Sequence, residues 1–143
     1  MTMGERDLQL TYRGVVYPPD CDHMGHMNVA SYVEKFDQAT WHVFRLCGIT
    51  RSYLQDQRRV MAGVHQEISY QRELFPGDTI RIESALTEAG ARKLSWTHEM
   101  FDDVTDERVA SCALTAVHID ASSRKAVEFP PHIHEVAARL LEE

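Results

Sequence analysis

The chain has 143 residues, 43% hydrophobic and 26% charged, with a net charge of −7. That size and mix fit one soluble globular domain spanning residues 1–143 with a substantial core. The negative balance excludes general binding to nucleic acid or to an anionic membrane surface, since both need a basic face.

No apolar run approaches the roughly 20 residues of a membrane-spanning helix. The first residues, Met1 to Asp7, lack the basic start and apolar stretch of a secretory leader. Cys21, Cys47 and Cys112 are scattered and odd in number, which reads as free thiols in a reducing cytoplasm.

Leu8, Leu10 and Tyr12 alternate with Gln9, Thr11 and Arg13, and Val15-Val16-Tyr17 continue the run. This predicts a first strand with a bend at Gly14, ended by Pro18-Pro19. A polar loop, Asp20 to Asn28, follows.

From Asn28 the period changes. Val29, Tyr32, Phe36, Ala39, Val43 and Cys47 recur at three- and four-residue steps, with Val33, Thr40 and Phe44 beside them. Asn28 can cap this helix and Gly48 can end it, giving a length of roughly 27–30 Å. So wide an apolar stripe predicts a central helix largely enclosed by other elements.

Ile49 to Arg59 is a polar, basic connection with room for a short helical turn. Four strand-like runs come next: Val60 to Tyr70, Ile80 to Leu86, Leu94 to Met100, and Val109 to Ile119. Turns at Phe75-Pro76-Gly77-Asp78, Glu88-Ala89-Gly90 and Asp102 to Asp106 divide them. Pro130-Pro131 introduces a short terminal helix, His132 to Leu141. Short turns between consecutive strands predict an antiparallel meander, joined by the first strand into a sheet of about five strands, an α+β fold.

Within the loop, Asp22-His23-Met24-Gly25-His26-Met27-Asn28 leads to Tyr32. Together with Ile68-Ser69-Tyr70, the Gly77-Asp78 turn and Ala91-Arg92-Lys93-Leu94-Ser95-Trp96, this pattern resembles the hotdog-fold acyl-CoA thioesterases of the 4-hydroxybenzoyl-CoA thioesterase type. The likeness runs from about residue 8 to residue 130. It implies a curved sheet wrapped around the long helix, an acyl-CoA substrate, and an active site between the subunits of a homodimer or homotetramer. It also implies that Asp22 is the catalytic carboxylate and that the backbone N–H of Val29 faces the thioester oxygen.

The residues suit that chemistry. Thioester hydrolysis needs an activated water or a carboxylate nucleophile, and donors for the oxygen that becomes negative. The positive end of the helix favours an ionised Asp22, and first-turn N–H groups offer an oxyanion site. Gly25 suits a left-handed turn or close approach, His26 orders the loop, and Asn28 caps the helix or braces Asp22. Tyr32 lies one turn in, as core or as substrate contact.

Coenzyme A needs local cations. Arg92-Lys93 is the first candidate because the family's basic hairpin matches there, with Arg58-Arg59 and Arg124-Lys125 as further clusters. Glu67 and Ser69 share a strand face, turned either to solvent or to a neighbouring subunit's acyl site. Trp41 and Trp96 are candidates for lining an acyl pocket.

His23 and His26 have no third ligand at useful spacing, so no metal is expected, and no cofactor beyond the coenzyme A of the substrate. Cys21 has no base at a fixed spacing and is not a nucleophile. A hotdog dehydratase would place a histidine five residues after Asp22, where Met27 stands. The remaining alternatives are an acyl-carrier-protein thioesterase and a non-catalytic acyl-CoA-binding module.

Overall fold

The structure is a computed structural model and describes residues 8–142. In chain order it holds β1 (Gln9–Val15), a 3₁₀ turn (Pro18–Asp20), α1 (Val29–Leu46), α2 (Arg51–Gln57), β2 (Arg59–Tyr70), β3 (Thr79–Ala89), β4 (Lys93–Asp102), β5 (Arg108–Asp120) and α3 (Pro131–Glu142).

All five strands form one antiparallel sheet in the order β1-β3-β4-β5-β2. The meander expected from β2 onward therefore holds only for β3, β4 and β5. β2 does not pair with β3, its neighbour in sequence; it crosses to the far edge and pairs with β5. Inward residues of β3 and β4 alternate as expected: Ile80, Ile82, Ser84 and Leu86 on one, Leu94, Trp96, His98 and Met100 on the other, all buried.

Two bulges change which side chains face inward. On β2 the register shifts between Gly63 and His65. The extra residue flips the alternation, so Met61 and Gly63 line the cavity beside α1 before the bulge and Gln66 lines it after. On β1 a shift between Leu10 and Tyr12 turns Thr11 inward and leaves Leu10 about half exposed.

α1 begins at Asn28, whose side chain accepts from Ser31 N at 3.0 Å, as the cap expectation requires. It ends at Cys47, with Gly48 at φ +85° and Ile49 N returning to Phe44 O. Its buried face meets two apolar clusters. Tyr32, Phe36 and Ala39 pack with Ile80, Ile82 and Met100; Val43, Phe44 and Cys47 pack with Leu86, Leu94 and Trp96, and with Ile133 and Ala137 of α3.

A polar seam lies between the clusters. His98 is fully buried and stacks on Phe36; its Nε2 meets Thr40 Oγ1 at 2.8 Å and its Nδ1 meets Ser84 Oγ at 2.6 Å. Ser84 continues to Thr11 Oγ1 at 2.7 Å, and the Trp96 indole donates to His98 Nε2 at 3.1 Å.

The picture of one enclosed central helix needs correcting. α1 has the expected length, 18 residues, and is one of three helices among the described residues, but its outer side stays open, with Val29 at 61% and Trp41 at 49% exposure. The wide apolar stripe is wider than the sheet can cover, because β2 stands away from α1 and leaves a gap.

Candidate active site

Asp20 to Asn28 form a loop closed on itself before α1 starts. Asn28 N donates to Asp20 O at 3.0 Å, Asp22 N to His26 O at 3.2 Å, and Cys21 and Met27 make an isolated bridge. Gly25 takes φ +87°, the left-handed turn its lack of a Cβ allows, and donates to Asp22 O. The Asp22 carboxylate accepts from Met24 N at 2.9 Å through Oδ1. That tight local turn fixes one oxygen beside the loop backbone, and no other hydrogen bond to the Asp22 side chain occurs among the described residues.

The loop ends at the first turn of α1. Ser31 N is taken by Asn28 Oδ1 and Tyr32 N by Asn28 O, whereas Val29 and Ala30 have no helical acceptor by position. Both are exposed. Beside them an open hollow of about 280 Å³ is bounded by His26, Val29, Tyr32 and Tyr70.

Tyr32 is buried, donates its hydroxyl to Arg72 O at 3.0 Å, and meets the Tyr70 ring edge-on at 5.1 Å. Burial, with help from Tyr70 and Glu73, pushes its phenol up to about 12, so it stays a proton donor. His26 reaches Met27 O at 3.3 Å and Glu73 Oε1 at 3.8 Å, a loop-ordering role. Desolvation, then the charges of Asp20 and Asp22, raise the Cys21 thiol, which keeps it protonated and disfavours it as a nucleophile.

A second, larger cavity of about 470 Å³ lies along the same helix. Phe36, Trp41 and Phe44 of α1 face Met61 of β2, Trp96 of β4 and Leu114 of β5 across it. Both tryptophans border it, although the Trp96 nitrogen is committed to His98 and Thr40.

The basic candidates lie away from the loop, with Arg59 bordering the larger cavity. Arg59 pairs with Asp120 at 2.5 Å, Lys93 with Glu88 at 3.6 Å, and Arg92 with Glu128 at 3.8 Å. Arg59 opens β2 whereas Tyr70 closes it, a separation of roughly 35 Å along the strand. Within one chain the structure therefore brings Asp22, Gly25, His26, Asn28, Val29 and Tyr32 together, and keeps Arg59, Arg92 and Lys93 at the opposite end of the sheet. Glu67 and Ser69 border a shallow hollow with Thr97, Glu99 and Ser111, apart from the α1 cavity.

Sequence reasoning missed Lys35. It sits on the buried face of α1, 5% exposed, with its ammonium 3.4 Å from Asp20 Oδ2. The signal was present: Lys35 falls three residues after Tyr32 and four before Ala39, a charge inside the apolar stripe.

A family model, the thioesterase-like superfamily, matches residues 16–137. The chain is 26% identical over 136 residues to Protein THEM6 of Xenopus laevis, covering 88% of this chain and 64% of that protein. This chain thus spans somewhat under two thirds of that relative's length. A hypothetical protein of Staphylococcus aureus, solved in complex with CoA, superimposes with a TM-score of 0.89 at 16% identity, over 97% of this chain and 88% of the other. A 1,4-dihydroxy-2-naphthoyl-CoA thioesterase of Synechocystis gives 0.81 at 18% identity, over 92% and 96%. These two likenesses establish a shared fold.

Proposed function

The chain belongs to the thioesterase-like superfamily, and from that membership we propose that it hydrolyses the thioester of a small or medium acyl-CoA. Asp22 activates the attacking water or is itself the nucleophile. The N–H groups of Val29 and Ala30 receive the carbonyl oxygen as it becomes negative. The observation that carries this reading is the placement of a lightly bonded carboxylate, two donor groups without helical acceptors, and an open hollow at one helix end. Val29 borders that hollow, and Asp22 stands in the loop that leads into it.

The acyl group then runs along α1 toward the cavity bordered by Phe36, Trp41 and Trp96, whose walls are largely apolar. Coenzyme A stays outside, near the hollow. The site needs a second copy of the chain. β2 is an edge strand of 12 residues with Val60, Val64 and Tyr70 exposed. Pairing two β2 strands antiparallel about a two-fold axis sets the Arg59 end of one copy beside the Tyr70 end of the other. That arrangement supplies the cations that a single chain holds too far from Asp22, and it covers the open side of α1.

A panel of acyl-CoA esters assayed for free thiol release tests the proposal. Asp22→Asn is expected to lower turnover at least 100-fold while leaving the melting temperature unchanged. Full activity in that variant would remove Asp22 from the mechanism. Tight binding of every ester with no thiol release would instead identify a binding module.

A further inference from the structure

Lys35 is the one Lys or Arg that lies buried among the described residues. A buried ammonium is strongly unfavourable unless it is paired, and an apolar side chain of similar volume generally packs as well or better. Packing under α1 therefore gives no reason for a charge at this position.

Its contacts give one. The ammonium meets Asp20 Oδ2 at 3.4 Å and lies 5.9 Å from the centre of the Tyr12 ring. The same Asp20 oxygen accepts Tyr17 N at 2.9 Å, and the Asp20 carbonyl accepts Asn28 N at 3.0 Å. Asp20 thus stands at the neck of the loop, joined to the strand side, to the helix cap and, through Lys35, to the second turn of α1. Two residues on, Asp22 has, among the described residues, only the Met24 N bond to hold its carboxylate.

We propose that Lys35 is a positioning residue: through Asp20, its ammonium anchors the neck of the loop and so sets the placement of the Asp22 carboxylate against the first turn of α1. This rests on the reading of Asp22 given above. The ion pair ties loop and helix together, so the distance from carboxylate to oxyanion donors is maintained even though the loop tip, His23 to Gly25, is exposed. Losing the tie leaves Asp20 bonded to Tyr17 N and leaves the apolar face of α1 intact. The loop then drifts while the fold stands.

The experiment uses the full chain, the acyl-CoA ester that the unaltered protein hydrolyses fastest, and amide hydrogen exchange over the loop. Lys35→Met is expected to lower kcat on the order of 10–100-fold, the range a small misplacement produces, with KM within about twofold. Amides from Asp22 to Asn28 should exchange faster, and Lys35→Arg should restore most of the turnover. Asp20→Asn should reproduce the loss, and the double variant should be no slower than either single one. Wild-type kcat in Lys35→Met, or losses that multiply in the double variant, would overturn the proposal. If Lys35→Met does not fold, Asp20→Asn decides alone: it keeps an oxygen for Tyr17 N, and unchanged kcat overturns the idea. If the unaltered protein cleaves no ester, the hydrolase reading fails, and exchange rates judge the anchor separately; unchanged loop exchange in both variants would then overturn it.

Discussion

Two polar groups lie buried beneath the same helix, and they differ in what they are tied to. His98 belongs to a closed set: Thr40, Ser84, Thr11 and Trp96 satisfy it from α1, β3, β1 and β4. Every partner sits on a helix or strand, so the set joins the layers of the core. Lys35 bonds instead to Asp20, at the neck of an irregular loop. The first arrangement fixes the spacing of helix and sheet; the second fixes a loop to the helix. Burial alone separates neither from an ordinary core residue. The element at the far end of the hydrogen bond does.

The contrast breaks first at His98. Replacing it with Ala strands the hydroxyls of Thr40 and Ser84 and the indole N–H of Trp96, and opens a hole beside Phe36. A loss of about 3 kcal/mol is expected in urea unfolding, with kcat per folded molecule unchanged. A large fall in kcat with little loss of stability would make His98 part of the reaction after all.

Acid should show the same group at work. Burial lowers the His98 imidazole to about 3, so it is neutral in the fold, whereas an unfolded chain would protonate near 6.5. Above that value neither state is charged and the group contributes nothing to the pH dependence. As pH falls from about 6.5 toward 3, the unfolded state takes up the proton first, and stability declines by up to ~1.4 kcal/mol per pH unit from this residue. His118, lowered by its own burial, acts with the same sign. Urea unfolding at pH 7 and pH 5 measures the slope, and a flat line would mean that His98 reaches water.

The smallest effect sharpens the loop side. Asn28→Ala removes the acceptor for Ser31 N and should cost about 1 kcal/mol in thermal unfolding. Because the lost cap loosens the first turn of α1, where the proposed oxyanion donors stand, its effect on turnover should exceed its effect on stability. Equal losses would reduce it to a helix cap.

Local signals made part of this molecule legible. The caps of α1, the alternation of β3 and β4, and the gathering of Asp22, Gly25, His26 and Asn28 all follow from neighbours in sequence. The place of β2 does not. Its pairing with β5 depends on a crossover and on a bulge at Gly63, and both depend on partners about fifty residues away. α2 was visible only as a turn because seven residues with no buried side chain leave no periodic stripe. Arg81 pairs with Glu83, Asp103 and Asp106, a cluster assembled by the β3–β4 register and invisible to any short window. Lys35 was passed over for a different reason: a single charge inside an apolar stripe does not interrupt the stripe, so it draws no separate reading.

The unpaired side of β2 has a consequence for the stability of the whole chain. About half of the backbone groups of this strand point away from β5, and in the proposed pairing of two copies the folded state gains from association by mass action. The melting temperature should then depend on dilution: samples spanning a hundredfold in concentration should melt at different temperatures, the more dilute ones lower. A proline placed at the middle of that edge should abolish the difference, because dilution would have nothing left to dissociate.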